Sequence, residues 1–368
     1  MFSKYTSNLM IGVLVACLLV QFSRAENSCT TPYNKNGTCI SIRDCAPLLS
    51  LISKTPLSDA DKQFAKQSQC ENGIGSLPHV CCPTEEPSVN NGEGNILPSV
   101  PQCGKVSPGN RILNGIHPSL DEFPWLALLE HSDIQNDNRS VFYCVGSLIN
   151  SRYVLTAAHC ITGAILQRVG PLNRVRLGEY DLSVEIDCEG GICADTFVNM
   201  KIEATIPHPQ YNESNRNREN DIGLIRLDEV VTYTKYIKPI CLPSALGQPS
   251  SLTTGTNLIV SGWGDTTISR ESYIKQKVFI PIIDFQECSE KYATRRIQLA
   301  SSQLCAGDQS FRGSCVGDSG EPLMSGGGKI NYAIEGVNSF NRCGIDEWPG
   351  VYTKVSDFES WIRSTIRP

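Results

Sequence analysis

Three short motifs, far apart along the chain, most constrain what it can fold into. They are TAAHC around His159, DIGL beginning at Asp221 and GDSG around Ser319. A serine hydroxyl is a poor nucleophile unless an imidazole takes its proton and a buried carboxylate orients that imidazole. These three residues supply the three groups, so we expect a fold that brings them together.

The order His, Asp, Ser is that of the chymotrypsin-type proteases and differs from the subtilisin and α/β-hydrolase orders. From about Ile112 to the C-terminus the sequence resembles this family. With the cysteine-rich segment before it, the chain resembles an arthropod clip-domain serine protease of the CLIP-B type. The resemblance implies an all-β, chymotrypsin-like double six-stranded β-barrel with a C-terminal helix, preceded by a small disulfide-rich clip domain.

The same resemblance assigns roles to the motif residues. Ser319 would be the nucleophile, His159 the general base and then acid, and Asp221 the orienting carboxylate. The backbone N–H groups of Gly317 and Ser319 would form the oxyanion hole, because a developing negative oxygen is best held by preorganised donors. An isolated motif of this kind would be weak, but three in order leave little room for a chance match.

Length and charge restrict the partners. A chain of 368 residues suggests about two domains. The formal net charge of −6 leaves no basic footprint for a phosphate backbone, so nucleic acid is not an expected partner.

The N-terminus has the features of a secretory signal over residues 1–25. Lys4 precedes an apolar run from Leu9 to Val20, and small residues around Ala25 suit cleavage. The alternative, a membrane anchor, needs about 20 apolar residues, and this run is shorter. We therefore expect a secreted, extracellular protein without a membrane partner.

Cysteine usage agrees with an oxidising compartment. Of the 17 cysteines, Cys17 leaves with the signal, and the rest form an even set. Zinc ligation, the alternative, would require paired spacing that the chain lacks. Six of the cysteines crowd into the predicted clip domain, residues 26–83, where the sequence alone does not choose the pairing.

The resemblance does imply the pairs. They are Cys29–Cys81, Cys39–Cys70, Cys45–Cys82, Cys103–Cys241, Cys144–Cys160, Cys188–Cys193, Cys288–Cys305 and Cys315–Cys343. A mixed polar and apolar pattern between Ala46 and Lys66 suggests a short helix or two, one of them beginning near Ser58.

Residues 84–111 are predicted to be an exposed linker because they are rich in Pro, Gly, Asn, Ser and Glu and lack periodic patterning. The linker ends at Arg111, where the sequence resembles the activation junction of the family. Cleavage there would free the α-amino group of Ile112 to pair with Asp318, and so order the oxyanion donors. The alternative is that Arg111 is an ordinary linker residue.

The protease domain is predicted over residues 112–368. Short β-branched runs at 147–149, 174–177, 223–227 and 258–260, separated by turn residues, predict strands. Residues 356–359 read as a capping box that begins the only convincing long helix, whose stripe of Phe358, Trp361 and Ile362 predicts core packing.

Two positions depart from the family pattern. Glu321 stands where the family has Gly, so we expect added backbone strain and a buried acid that needs a partner. Gly313 stands where an acidic residue would select Arg or Lys, so these residues are not expected to be preferred at P1. The pocket walls would include Ser339, Asn341 and Gly350, and an apolar or small P1 residue is expected.

Asp346 or Glu347 could still reach into that pocket as an alternative partner for a P1 cation.

A structural calcium site is a further expectation from the resemblance, with Glu179, Asp181, Val184 and Asp187 as ligands. The alternative is an acidic, solvated loop without metal.

Acceptor triplets predict glycosylation at Asn36, Asn138 and Asn212.

Taken together, these features predict a secreted zymogen of a serine endopeptidase, activated after Arg111. The resemblance implies an extracellular immune or developmental cascade of the melanisation or Toll type, with protein substrates, an upstream trypsin-like activating protease and serpin inhibitors. One alternative is a catalytically weak homologue acting as a cofactor or scaffold. Another is that the clip domain is the functional part and binds a protease.

Overall fold

The computed structural model describes residues 28–32, 36–45, 48, 62, 65–70, 78–83, 96–106, 117–133, 139–247, 252–263, 273–307, 319–327, 330–340 and 348–368. The chain forms two compact units, Met1–Glu93 and Gly94–Pro368. The predicted signal segment lies outside the described residues. No helix in the described part of the chain is long and apolar enough to cross a bilayer.

The first unit is built on a three-stranded antiparallel sheet. Its strands are β1 (Ser28–Thr30), β2 (Asn36–Ser41) and β3 (His79–Pro83), in that order across the sheet. The buried cluster beside it consists of Cys45, Leu48, Val80 and Cys82. So small an apolar cluster gives limited stability, and cross-links compensate for it.

Three disulfides are formed in this unit: Cys29–Cys81, Cys39–Cys70 and Cys45–Cys82. They are the pairs that the resemblance implies. The predicted helix start near Ser58 lies outside the described residues, while Lys62 and residues 65–67 are helical.

The second unit begins with a closed six-stranded antiparallel barrel. Its strands are β4 (Leu126–Asp133), β5 (Arg139–Leu148), β6 (Tyr153–Thr156), β7 (Leu172–Leu177), β10 (Val198–Pro207) and β11 (Gly223–Leu227). Between β7 and β10, the strands β8 (Cys188–Glu189) and β9 (Ile192–Cys193) form a separate hairpin. The order around the barrel is β10-β11-β6-β5-β4-β7.

A second six-stranded sheet follows. It contains β12 (Asn257–Gly262), β13 (Gln276–Pro281), β14 (Gln303–Ala306), β15 (Pro322–Gly327), β16 (Ile330–Phe340) and β17 (Gly350–Lys354). The order is β13-β12-β15-β16-β17-β14, and a bridge between Ile282 and Ala306 brings the two outer strands together. The predicted double-barrel architecture and the four predicted strand segments are confirmed.

One hydrophobic cluster extends through both barrels, and a smaller one lies within the second barrel. Trp125 is fully buried and its indole N–H contacts the sulfur of Met324 at 3.1 Å, so the first barrel is joined directly to the second. The rings of Phe123 and Trp125 both pack against Tyr332. Such aromatic contacts fix the relative position of the elements that carry the candidate site.

Three short α-helices complete the described part of this unit: α1 (Ala164–Arg168), α2 (Phe285–Ala293) and α3 (Glu359–Thr365). The predicted apolar stripe is confirmed as core packing, since Phe358 and Ile362 are buried and Trp361 packs against the same cluster. The predicted C-terminal helix is confirmed as α3, but it is not the only substantial helix, because α2 has nine residues and α3 seven.

The predicted capping box is also wrong. A 3-10 turn at Val355–Phe358 precedes α3. The Glu359 carboxylate accepts the backbone N–H of Ser244 at 2.8 Å instead of reaching back along its own helix. A contact distant in sequence therefore replaces the local one.

Part of the predicted linker is not exposed. Leu97 and Cys103 are buried, and the latter is bonded to Cys241. The N–H of Gly104 donates to the carbonyl of Pro239, and the carbonyl of Gly104 accepts from the N–H of Tyr332. Residues 96–106 thus belong to the second unit and pack against its barrels, because the disulfide and these backbone bonds hold them there.

Candidate active site

The Asp221 carboxylate is the centre of the candidate site. It is fully buried, and it accepts hydrogen bonds from the His159 backbone N–H (2.9 Å), the His159 ring Nδ1 (2.7 Å) and the Ser339 hydroxyl (2.6 Å). A carboxylate is an acceptor only, so Nδ1 carries the proton and Nε2 is left to accept one. This is the tautomer that a general base for a serine hydroxyl requires.

These contacts also set the charge of Asp221. Burial by itself would raise the pKa of Asp221, but the nearby His159 and the hydrogen bonds from His159 and Ser339 hold its pKa below the usual value. The carboxylate therefore stays ionised beside the imidazole.

Local structure fixes the His159 side of the pair. His159 lies in the 3-10 turn Ala158–Cys160, directly after β6. The Cys144–Cys160 disulfide ties this turn to β5, and only 13% of the His159 side chain is exposed. The ring therefore has little freedom to leave Asp221.

Ser319 and Gly320 form a turn that is held against the same strands. The Ser319 carbonyl accepts the N–H of Val145 at 2.9 Å, and the Gly320 N–H donates to Asn338. Gly320 has φ of 84°, and a Cβ there would lie 2.3 Å from both the Thr156 hydroxyl and the Val145 carbonyl. Only glycine fits, so the turn is packed against the strand that leads to His159.

Within the part of the chain that the structure describes, the Ser319 hydroxyl and the His159 ring form no hydrogen bond. The ring Nε2 lies 3.8 Å from Sγ of Cys160. Catalytic hydrogen bonds are often long before a substrate is bound, so the lack of this bond is compatible with a nucleophile and base that engage later.

The prediction of backbone strain at Glu321 is wrong. The left-handed backbone position is Gly320, and Glu321 is not among the residues with positive φ. Glu321 is fully buried, and the side-chain amide of Asn338 donates to its carboxylate at 3.3 Å. This hydrogen bond gives one of the two carboxylate oxygens a partner of the kind that a buried acid requires.

Several predicted site residues lie outside the described residues. They are Arg111, Ile112, Asn138, Gly313, Cys315, Gly317, Asp318, Asn341, Cys343, Asp346 and Glu347. The oxyanion, activation and P1 assignments to them remain predictions.

Ser339 has a contact that the sequence did not indicate. It was predicted as a pocket wall, yet its hydroxyl donates to Asp221 and its carbonyl accepts from Arg218. Gly350, the other described pocket residue, begins β17 and pairs with Ala306. No local pattern could have revealed either contact, because the partners are far apart along the chain.

The predicted calcium ligands lie in one acidic loop. Burial raises the pKa of Asp187, and the nearby charges of Glu179 and Asp181 raise it further. A hydrogen bond from the Asp181 N–H lowers this pKa but does not cancel the rise. Clustered hard oxygens of this kind suit calcium in their chemistry. Glu179, however, already binds Arg176 at 3.0 Å, while Val184 is exposed.

The carboxylates of Glu179, Asp181 and Asp187 do not come together as a three-ligand cluster, and Val184 could contribute only its main-chain carbonyl. Within the described ranges, the only three ligand-type side chains that come within 4.8 Å of one another are Cys144, His159 and Cys160, which belong to a disulfide and the candidate base. The calcium site remains a prediction.

The remaining described disulfides have the implied pairings, namely Cys188–Cys193 and Cys288–Cys305. The predicted glycosylation residue Asn212 is exposed. The side chain of Asn36 lies outside the described residues.

Comparison with known proteins decides the family. Residues 112–362 match the trypsin family, and residues 29–82 match the regulatory CLIP domain of proteinases. The chain belongs to the trypsin family. It is a clip-domain serine protease, and its enzymatic class is serine endopeptidase.

Its relatives match over almost their whole length. Serine protease 7 of Drosophila melanogaster is 45% identical, with 98% of each chain covered. Phenoloxidase-activating enzyme 1 of Spodoptera litura is 40% identical, with 96% of each covered. The crystal structure of the Drosophila Grass clip serine protease of the Toll pathway has a TM-score of 0.61 and 30% identity, covering 92% of this chain and 97% of that one.

The lowered pKa of Asp221 predicts a pH-dependent contribution to stability. A carboxyl whose pKa is lower in the folded state stabilises the fold fully above its unfolded pKa, near 4, and loses that contribution as the pH falls through the folded value. Asp221→Asn should lower the free energy of unfolding by about 1–3 kcal/mol at pH 7. The difference from wild type should shrink below about pH 4, as measured by chemical unfolding of the disulfide-intact protein.

The exposed Asp228→Asn is the control and should show no such dependence. A difference between wild type and Asp221→Asn that stays constant from neutral to strongly acidic pH would contradict the assignment.

Proposed function

We propose that the protein is a secreted zymogen that hydrolyses peptide bonds after cleavage at Arg111. Ser319 attacks the substrate carbonyl while His159 takes its proton, and His159 then protonates the leaving amine. Asp221 orients the imidazole and stabilises its charged form. Water then attacks the resulting acyl-enzyme, while His159 takes a proton from the water and gives it back to Ser319.

The observation that carries this proposal is the pair of hydrogen bonds from His159 to the buried Asp221 carboxylate. They hold His159 through both its main-chain N–H and its ring Nδ1, so the orientation of the ring is determined before substrate arrives. Preorganisation of this kind is what general-base catalysis requires. The packing of Gly320 against Thr156 supports the assignment of the adjacent Ser319 as nucleophile.

Zymogen control would act through the oxyanion donors. A new α-amino group at Ile112 would supply a cation for Asp318, because a carboxylate that becomes buried needs a partner. Pairing them orders the loop that carries the Gly317 N–H. The Cys103–Cys241 bond links a residue before Arg111 to one after it, so it would keep the two products joined until reduction.

The scaffold alternative has less support. In the sequence it depends on Glu321 and Asn341, which both stand where the family has Gly. Glu321, however, does not have a left-handed backbone, and its carboxylate accepts a hydrogen bond from Asn338. A chain retained only for binding would have no reason to keep His159, Asp221 and Ser319.

The proposed setting is an extracellular proteolytic cascade. The names of relatives include phenoloxidase activation, and that of the structural neighbour includes the Toll pathway. We extend these settings to this chain, with protein substrates, an upstream trypsin-like activator that recognises Arg111, and serpins as inhibitors.

Activation at Arg111 tests the function directly. Full-length protein treated with immobilised trypsin should be covalently labelled by a fluorophosphonate, whereas Arg111→Gln should be secreted, folded and unlabelled. Ser319→Ala should be cleaved yet unlabelled, since it lacks the nucleophile. Gel fluorescence provides the measurement.

Lys105→Gln is the matched control, because this basic residue is exposed on the same segment. It should label like wild type. Full labelling of Arg111→Gln would refute the switch, and absence of labelling in cleaved wild type would refute the enzyme mechanism.

Gly313 predicts the P1 preference. Without a carboxylate in the pocket, peptides with Arg or Lys at P1 should be cleaved less efficiently than those with small or apolar residues. Gly313→Asp should raise the Arg-to-apolar ratio of kcat/KM by roughly 10- to 100-fold. Profiling with a P1-varied peptide library measures both, and a strong Arg preference in the wild type would overturn the prediction.

We also propose that the acidic loop binds structural calcium, on the basis of its donor chemistry. Saturating calcium should raise the melting temperature of the wild type by roughly 5 °C. Glu179→Gln should lose this rise, while Glu185→Gln, exposed in the same loop, should keep it. No calcium-dependent shift in the wild type would exclude the site.

A further inference from the structure

One disulfide differs from the others in its exposure to solvent. Cys188 and Cys193 are both exposed, whereas every other disulfide in the described ranges has at least one buried cysteine. In thiol–disulfide exchange a thiolate attacks one sulfur directly, so access to the bond limits the rate. A thiol reductant in solution can therefore approach the Cys188–Cys193 bond while the protein stays folded.

The hairpin that carries this bond takes no part in the core. Strands β8 and β9 have two residues each, pair only with one another, and have no buried residue. The turn between them consists of Gly190 and Gly191, and a Cβ on either glycine would meet no described atom within 4 Å. The open space beside this turn leaves room for an attacking thiolate.

The loop that this bond closes is also the shortest among the described disulfides. Cys188 and Cys193 are five residues apart, while the separations in the other described pairs range from 16 to 138 residues. A cross-link that closes a short loop removes little entropy from the unfolded chain. Both barrels should therefore stay folded when this bond is opened.

Opening the bond would nevertheless release a defined set of contacts. The buried Asp187 directly precedes Cys188, and its carboxylate accepts the N–H of Asp181 at 2.9 Å. The main-chain carbonyl of Asp187 accepts the N–H of Ala194 at 2.8 Å, and Ala194 directly follows Cys193. The disulfide thus closes the hairpin immediately beside the two hydrogen bonds that hold Asp187 in the acidic loop.

We propose that Cys188–Cys193 is a reversible thiol-exchange site whose opening releases Asp187 from the acidic loop. The co-reactant is a dithiol. One of its thiolates attacks a sulfur of the pair and forms a mixed disulfide, and the displaced cysteine thiolate takes up a proton. The second thiol of the reductant then closes on the first and frees the other cysteine.

This exchange transfers two electrons. The dithiol is oxidised to a cyclic disulfide, and the cysteine pair is reduced to two thiols. No step involves Ser319 or His159, so the site does not depend on the proposed function.

The test treats full-length, disulfide-intact protein with dithiothreitol under native conditions and traps each new thiol with an alkylating reagent. Mass spectrometry then gives a rate of opening for each pair. Cys188–Cys193 should open at least roughly tenfold faster than any other described disulfide. Cys144–Cys160 is the internal control, because both of its cysteines are buried in the first barrel.

Hydrogen exchange measures the structural consequence. After selective opening, the amides of Asp181 and Ala194 should exchange at least about tenfold faster, while the amides of β11 stay protected. The double variant Cys188→Ser, Cys193→Ser should show the same exchange without reductant. Reoxidation of the opened wild type should restore the protection of both amides.

The two measurements can each overturn the proposal. Opening of Cys188–Cys193 no faster than that of Cys144–Cys160 overturns the exchange site. Selective opening with unchanged exchange at Asp181 and Ala194 overturns the release of Asp187. If the double variant does not fold, the selectively opened wild type decides alone.

Discussion

The buried Asp221 carboxylate is the interaction on which the rest of the site depends. Removing a charge from water is expensive, and burial is tolerated only where hydrogen bonds replace hydration. Here the replacement comes from His159 twice and from Ser339 once. These residues come from different elements, a turn after β6 and the end of β16, so satisfying one charge requires both barrels to be correctly assembled.

The fold supplies this assembly through contacts that allow little variation. Gly320 has no space for a side chain against Thr156, and Trp125 joins the barrels through Met324. The Cys144–Cys160 bond prevents the turn carrying His159 from drifting. Close packing transmits small displacements, which is why a switch at a distant chain terminus could control a hydroxyl in the cleft.

Sequence reasoning succeeded where information is local and failed where it is not. The strand at 223–227 was predictable because its β-branched run is bounded by turn residues. The capping box failed because Glu359 bonds to Ser244. The exposed-linker prediction failed at Leu97, Cys103 and Gly104, because the Cys103–Cys241 bond holds this segment against the barrels. The contact of Ser339 with Asp221 was missed for the same reason, since no spacing rule links residues so far apart.

The most direct test of the central claim is proton NMR of the cleaved protein, observing the His159 Nδ1 proton. A short hydrogen bond to an ionised carboxylate should shift this resonance far downfield and protect it from exchange. We predict that the resonance is present in wild type, retained in Ser319→Ala and lost in Asp221→Asn. A wild-type spectrum without it, or an unchanged resonance in Asp221→Asn, would contradict the account.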